Sequence, residues 1–237
     1  VLLINNYEFV YMRKIVLDTE TTGLDPELGH RIIEIGAVEL SKDLTKILNI
    51  FHCYLNPERD IPKESYNVHG LSREFLLDKP KFYEIVDKFL NFIKGAQLII
   101  HNAVFDMKFL NYELFKIFKP AVPNTCIIDT LKIARKRFPK ERVNLDALCY
   151  KYNIDTSGRN FHGALKDAKL LASVYSAMTK GMQAVFLDDY QKESNIIVSN
   201  DAVAVKNAKI MQASSSEIQK HKQLLSKIPK SLWIEGG

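Results

Sequence analysis

The sequence predicts an α/β domain built on a mixed sheet. Three β-prone runs follow one another near the start of the chain. After them, short apolar runs alternate with apolar residues at helical spacing. Strands in succession, then strands alternating with helices, favour a meander continued by parallel crossovers.

Residues 14–17 form the first run, 31–40 (RIIEIGAVEL) the second and 47–55 (ILNIFHCYL) the third. Gly23, Pro26 and Gly29, then Ser41, Lys42 and Asp43, supply the turns between them. Residues 57–70 hold two prolines and read as a loop. Helical spacing begins after Leu71 and recurs at Phe82, Ile85, Val86, Phe89, Leu90 and Ile93. Residues 97–100 (QLII) read as a buried strand, and Asn102 is placed to cap the helix of Phe105, Phe109, Leu110 and Leu114. Ile127 and Ile128 form a short strand, with Asp129 as N-cap of a helix over 131–137. Further helices are expected over 145–152 and 163–179. Residues 181–200 mix Gly, Gln, Asn, Asp and Ser without periodicity and read as a linker. Two short helical patterns follow, the second with a Ser214-x-x-Glu217 capping box and an apolar stripe of Ile218, Leu225 and Ile228. The domain reading is therefore 12–180 for the main body, 181–200 for the linker and 201–237 for a tail whose apolar stripe buries against a partner or packs back on its own domain.

Composition excludes few function classes. The chain has 237 residues, 46% of them hydrophobic and 26% charged, which is ordinary globular material. A net charge of +5 suits contact with a few phosphates but also suits many other ligands. Cys53, Cys126 and Cys149 form no C-x-x-C pair, so three free thiols in a reducing cytosol are expected. No apolar run reaches the roughly 20 residues that span a bilayer. Residues 1–11 lack a basic n-region and an A-x-A site, so Met12 is the expected natural start and 1–11 an extension.

Four carboxylates stand where apolar or capping residues would be simpler. Asp18 and Glu20 follow the first strand at i and i+2, so both face one side. Like charges so placed each disfavour ionisation of the other, and a divalent cation resolves the conflict. The pair also fits a solvated strand end. Asp106 shares a helix face with Phe109 and Leu110, though an acid in a first turn also suits the helix dipole. Asp167 lies on one face with Ala164, Leu171 and Val174, and a buried carboxylate must be paired, protonated or metal-bound. His162, five residues earlier, either leans over that site or hydrogen-bonds a helix end. An all-oxygen set favours Mg²⁺ or Mn²⁺, and two such ions can clamp a phosphodiester for in-line attack. A histidine of ordinary pKa can take the proton of the attacking water. Asp129, Asp146, Asp155, His30, His52, His101 and His221 are read as structural or surface residues.

These residues carry a resemblance. Ile15 through Leu24 (IVLDTETTGL), His101 through Asp106 (HNAVFD) and His162 through Ala168 (HGALKDA) resemble the three motifs of the DEDDh 3'→5' exonuclease family. Residues 32–39, 68–70, 74–80, 145–149 and the closing Leu232-Trp233 are further similar to its replicative branch, the epsilon subunits of bacterial DNA polymerase III. The resemblance covers residues 12–237. It implies an RNase H-like fold, a five-stranded mixed sheet flanked by helices. It implies proofreading of a single-stranded or frayed 3' DNA end with release of nucleoside 5'-monophosphates. Asp18, Glu20 and Asp167 would hold the metals, Asp106 would complete the site, and His162 would be the general base. Glu64 and His69 would contact the terminal nucleotide, as would Asp18, Glu20 and Asp167. The tail would dock on the polymerase alpha subunit, and a small third subunit is a further partner to expect. Gln183 through Leu187 (QAVFL) stands where relatives carry a sliding-clamp motif, in degenerate form. An RNA-trimming DEDDh exonuclease and a non-catalytic assembly module remain the alternatives.

Overall fold

The computed structural model describes residues 12–157 and 161–197 together with Gln219, with residues 181–197 described by their backbone alone. Strands β1 (Arg13–Thr21), β2 (Ile32–Leu40) and β3 (Ile47–Tyr54) form an antiparallel meander. Helices α1 (Lys63–His69), α2 (Arg73–Leu76) and α3 (Phe82–Ile93) lead to β4 (Ala96–Ile100). Helix α4 (Ala103–Lys116) leads to β5 (Ile127–Asp129), and α5 (Thr130–Arg137), α6 (Leu145–Lys151) and α7 (Ala164–Ile197) follow. The sheet order is β3-β2-β1-β4-β5, with β4 parallel to β1 and β5 parallel to β4. This is the five-stranded mixed sheet that the sequence implied.

Period-two alternation assigns the two faces of the sheet. Ile15, Leu17, Ile35, Ala37, Leu98 and Ile100 pack with Phe82, Val86 and Phe89 of α3 and with Met107, Phe109 and Leu110 of α4. Val16, Val38, Leu40 and Ile99 face the other way, onto Ala168, Leu171, Ala172 and Tyr175 of α7. Both faces are covered, so all nine residues of β2 are buried, its two acids included. A third cluster joins α5 and α6 to α7 through Ala134, Val143, Leu148, Val174 and Met178.

The N-terminus of α7 lies directly on the sheet, and Gly36 makes this possible. A Cβ on Gly36 would stand 2.2 Å from the Leu165 nitrogen and 2.3 Å from the Ala164 carbonyl carbon. Gly36 is also the cross-strand partner of Asp18. The missing side chain therefore lets the helix that carries Asp167 settle beside the strand that carries Asp18.

Three local expectations change. Residues 57–70 are not all loop, since α1 occupies 63–69 and ends at Gly70 in the left-handed region (φ 70°). Only His69 of that helix is buried, so no apolar stripe announced it. Asn102 is the first residue before α4 but adopts φ 68°, ψ 52°, and its side chain makes no capping bond. The 181–200 stretch is helical through Ile197, as a continuation of α7. Residues 1–11 and the tail patterns around Ser214–Glu217, Ile218, Leu225 and Ile228 lie outside the described residues. None of Cys53, Cys126 and Cys149 forms a disulfide among the described residues. No helix among the described residues is long and apolar enough to cross a membrane.

Because the neighbours of Gly36 are backbone atoms, Gly36→Ala is expected to destabilise the fold by ~1–3 kcal/mol through overpacking. Urea unfolding measures this; an unchanged midpoint would show that α7 does not sit where described.

Candidate metal and active site

Two strands and two helices bring the acidic residues together. Asp18 and Glu20 lie within β1, which runs on through Thr21 instead of ending before them. They belong to the face turned toward α7, as do their cross-strand partners Gly36 and Glu34. Asp167 is buried in the first turns of α7. His162 stands just before that helix, about half exposed, with Nδ1 3.2 Å from Oδ2 of Asp167. Its backbone N–H donates to the Val68 carbonyl (3.0 Å), which ties the entry of α7 to α1. One ligand atom each from Glu20, His162 and Asp167 lies within 4.8 Å of the others.

Asp106 joins from the opposite side of β1. The ladder between β1 and β4 ends at Val16–Ile99, so the next part of β1 has no partner there. Asp106 Oδ1 takes the place of a strand carbonyl, accepting from the Thr19 N–H (3.0 Å) and from the Thr19 hydroxyl (2.8 Å). The carboxylate is buried. It is thus fixed to the residue between Asp18 and Glu20.

Proximity shows in the proton affinities. Burial pushes the Asp18 carboxyl well above the ordinary carboxylate range, and the charges of Asp106, Glu20, Asp167 and Glu34 push it further. Burial raises Asp106 to about 7, against the opposing hydrogen bonds from Thr19. Neither group ionises easily in such company. Oxygen donors crowded in this way are the set that hard divalent cations take, so the residues fit a Mg²⁺ or Mn²⁺ centre.

Glu64 and His69 both sit on α1. Glu64 is exposed in the first turn and makes no hydrogen bond or ion pair among the described residues. His69 is buried, and burial lowers its pKa to about 4. Its Nδ1 accepts from the Leu71 N–H (3.0 Å), which leaves the proton on Nε2. That Nε2 is buried without a hydrogen-bond partner among the described residues. An orphaned buried donor is costly unless a ligand meets it. The Ser65 hydroxyl donates to the Thr22 carbonyl (3.0 Å), holding α1 against the end of β1.

The residues read as structural behave so where the structure shows them. Asp129 accepts from the Leu131 N–H as the cap of α5. His101 Nδ1 pairs with the Thr130 hydroxyl (2.9 Å). One acid escaped the sequence reading. Glu34 is buried, its Oε1 accepting from His52 Nε2 (2.8 Å) and, more weakly, from the Leu165 N–H (3.4 Å). It therefore links β3 to the start of α7 beside the site. The signal was present, since Glu34, like Glu39, interrupts a mostly apolar buried strand, but nothing local named its partners. Residues 183–187 fall where only the backbone is described.

A carboxyl with a raised folded pKa holds its proton more tightly when folded. Its contribution is favourable at low pH and is lost as pH rises through the folded value. The metal-free chain is therefore expected to lose stability between about pH 4 and pH 7 as Asp106 ionises. Asp106→Asn keeps the oxygen that accepts from Thr19 and removes the charge. Its melting temperature in EDTA should exceed that of the parent at pH 8, by roughly 2–4 °C per kcal/mol relieved, and converge with it near pH 4. A difference independent of pH would contradict the raised pKa.

The chain is similar to known proteins in sequence and in fold. A family model described as "Exonuclease" matches residues 15–175. The DNA polymerase III subunit epsilon of Rickettsia typhi is 50% identical over 92% of this chain and 97% of its own length. That of Escherichia coli K12 is 44% identical over 92% and 94%. Among solved structures, the nuclease domain of 3'hExo, a DEDDh family member bound to rAMP, superposes with a TM-score of 0.64 at 23% identity. That match covers 73% of this chain and 94% of that one. Exonuclease X in complex with 5' overhanging duplex DNA gives 0.57 at 24% identity, covering 71% and 92%. These two likenesses concern the fold. The three motifs, the sheet that assembles them and identity sustained along nearly the whole chain place it in the exonuclease family, among the epsilon subunits of bacterial DNA polymerase III.

Proposed function

We propose that the chain is the proofreading 3'→5' exonuclease of a DNA polymerase III, hydrolysing the terminal phosphodiester of a frayed 3' end and releasing nucleoside 5'-monophosphates. The observation that carries this reading is the convergence of Glu20, His162 and Asp167 within 4.8 Å beside Asp18 and Asp106. Sustained identity to polymerase III epsilon subunits supports DNA, rather than RNA, as the substrate.

Asp18, Glu20, Asp106 and Asp167 would hold two divalent ions, Mg²⁺ or Mn²⁺. Such ions, when bound, lower the pKa of an attacking water and neutralise charge gathering on the phosphate. The chain supplies the rest. His162 holds Nδ1 against Asp167, which leaves Nε2 as the basic nitrogen that takes the proton of the water. His69 donates from Nε2 to the terminal nucleotide, and Glu64 on the same helix contacts it from the first turn of α1. A mismatched end unstacks more cheaply than a paired one, so selectivity arises from melting without reading the base. Residues 201–237 would dock on the polymerase alpha subunit and Gln183 through Leu187 on the sliding clamp, with a small third subunit as a further partner and the cytoplasm as the compartment.

Asp18→Ala or Asp167→Ala is expected to abolish cleavage of single-stranded DNA while leaving the chain folded by circular dichroism; a tenth of the parent rate would refute the metal assignment. His162→Ala should slow turnover by ~10²–10⁴, and an unchanged rate removes it as the base. Matched DNA and RNA oligonucleotides decide the substrate, with faster cleavage of RNA counting against proofreading. In co-purification with the alpha subunit, the full chain should bind and a 1–180 chain should not. Equal binding by both would refute docking through the tail.

A further inference from the structure

We propose that a basic groove beside the carboxylates, walled by Arg135, Lys140 and Arg142, binds the phosphate backbone of the DNA strand that leads to the 3' end. The inference rests on the exonuclease reading and extends it from the terminal bond to the strand behind it.

The charge is concentrated. Residues 132–142 (KIARKRFPKER) hold six cations and one acid. That is a net of +5 within eleven residues, equal to the net charge of the entire chain. All six cations are exposed. The single acid, Glu141, is already paired with Lys151. Arg137 is occupied by the Met178 carbonyl (2.8 Å) and lies over the Phe138 ring. Arg135, Lys140 and Arg142 have no ion pair among the described residues, and all three line one open groove of about 860 Å³.

Its placement fits a strand entering the site. One wall is the 138–144 loop, which joins α5 to α6, and both helices pack on α7, the carrier of Asp167. The other wall is His101 and Asn102, which lead directly into α4, the carrier of Asp106. The groove therefore opens between the supports of two of the carboxylates. Its His101 and Asn102 follow the C-terminal end of β4 and its Leu131 that of β5, and both strands run parallel to β1, whose C-terminal half carries Asp18 and Glu20. Glu141 is the acid that lines it, and Asp129, beside the lining residues Asn102 and Leu131, accepts from both of their N–H groups. A dense anionic cluster flanked by cations that have no ion pair among the described residues would repel a polyanion at one point and attract it beside that point. Phosphates held by Lys and Arg release counterions, and this gives the groove a measurable signature in salt.

The test compares the parent with the triple variant Arg135→Gln, Lys140→Gln, Arg142→Gln, in the full chain. Binding of a fluorescein-labelled twelve-nucleotide oligothymidylate is followed by anisotropy in EDTA over a potassium chloride series. Hydrolysis of the p-nitrophenyl ester of thymidine 5'-monophosphate, too short to enter the groove, is followed with metal present. The variant should bind the oligonucleotide roughly 10–100-fold more weakly at low salt, with a log–log salt slope shallower by ~2, and should hydrolyse the ester at the parent rate. An unchanged slope, or no measurable binding by the parent in EDTA, overturns the groove. Equal loss on the ester also overturns it, because the cations would then be acting at the reacting bond. A parent that binds the oligonucleotide with the expected slope but cleaves neither substrate would leave the groove standing and remove the exonuclease reading.

Discussion

Mutual repulsion among crowded, buried or partly buried carboxylates is the constraint around which this structure is organised. Asp18, Glu20, Asp106 and Asp167 stand close enough that Asp18 resists ionisation, first through burial and then through its neighbours. A fold left to optimise its own stability would not gather four acids, with Glu34 as a fifth nearby, against the end of a buried sheet. The arrangement costs folding free energy without counter-charge and becomes favourable when divalent cations supply it. In the proposed reading, stability and activity would thereby be coupled through one set of side chains.

The surrounding structure holds the acids where their repulsion would drive them apart. Gly36 lets the backbone of α7 come within contact of β2, directly across from Asp18. Asp106 is fixed by two hydrogen bonds from Thr19, using a stretch of β1 that β4 has ceased to pair. The Glu34–His52 pair ties the start of α7 to the outer strand. The positive end of the α7 dipole also points toward this cluster, where negative charge is best tolerated. Each support is a short, directional contact between elements distant in sequence.

The same geometry separates chemistry from recognition. In the proposed reading, bond cleavage would fall to the carboxylates and His162, contact with the last nucleotide to α1, and strand guidance to a basic groove on α5 and the loop after it. Only the first of these needs exact placement of atoms. The other two can act through an exposed or partly buried surface, so their residues are scattered among ordinary helix and loop positions.

Much was legible in the sequence because its signals are local. The β-prone RIIEIGAVEL run, the i, i+2 spacing of Asp18 and Glu20 and the capping role of Asp129 depend on near neighbours in the chain. The five strands followed from such patterns and from the resemblance. Other features had no local signal. Helix α1 buries one side chain and so shows no stripe, Asn102 caps no backbone group, and the helix through Ile197 runs across a stretch of loop-like composition. The orphaned Nε2 of His69, the bond from Asp106 to Thr19 and the partners of Glu34 exist only once distant segments meet. The sequence by itself determined which residues are acidic, which runs are β-prone and which family the motifs resemble. Only the tertiary structure decided how close those acids come and what holds them there, because electrostatic energy depends on distance and burial rather than on order along the chain.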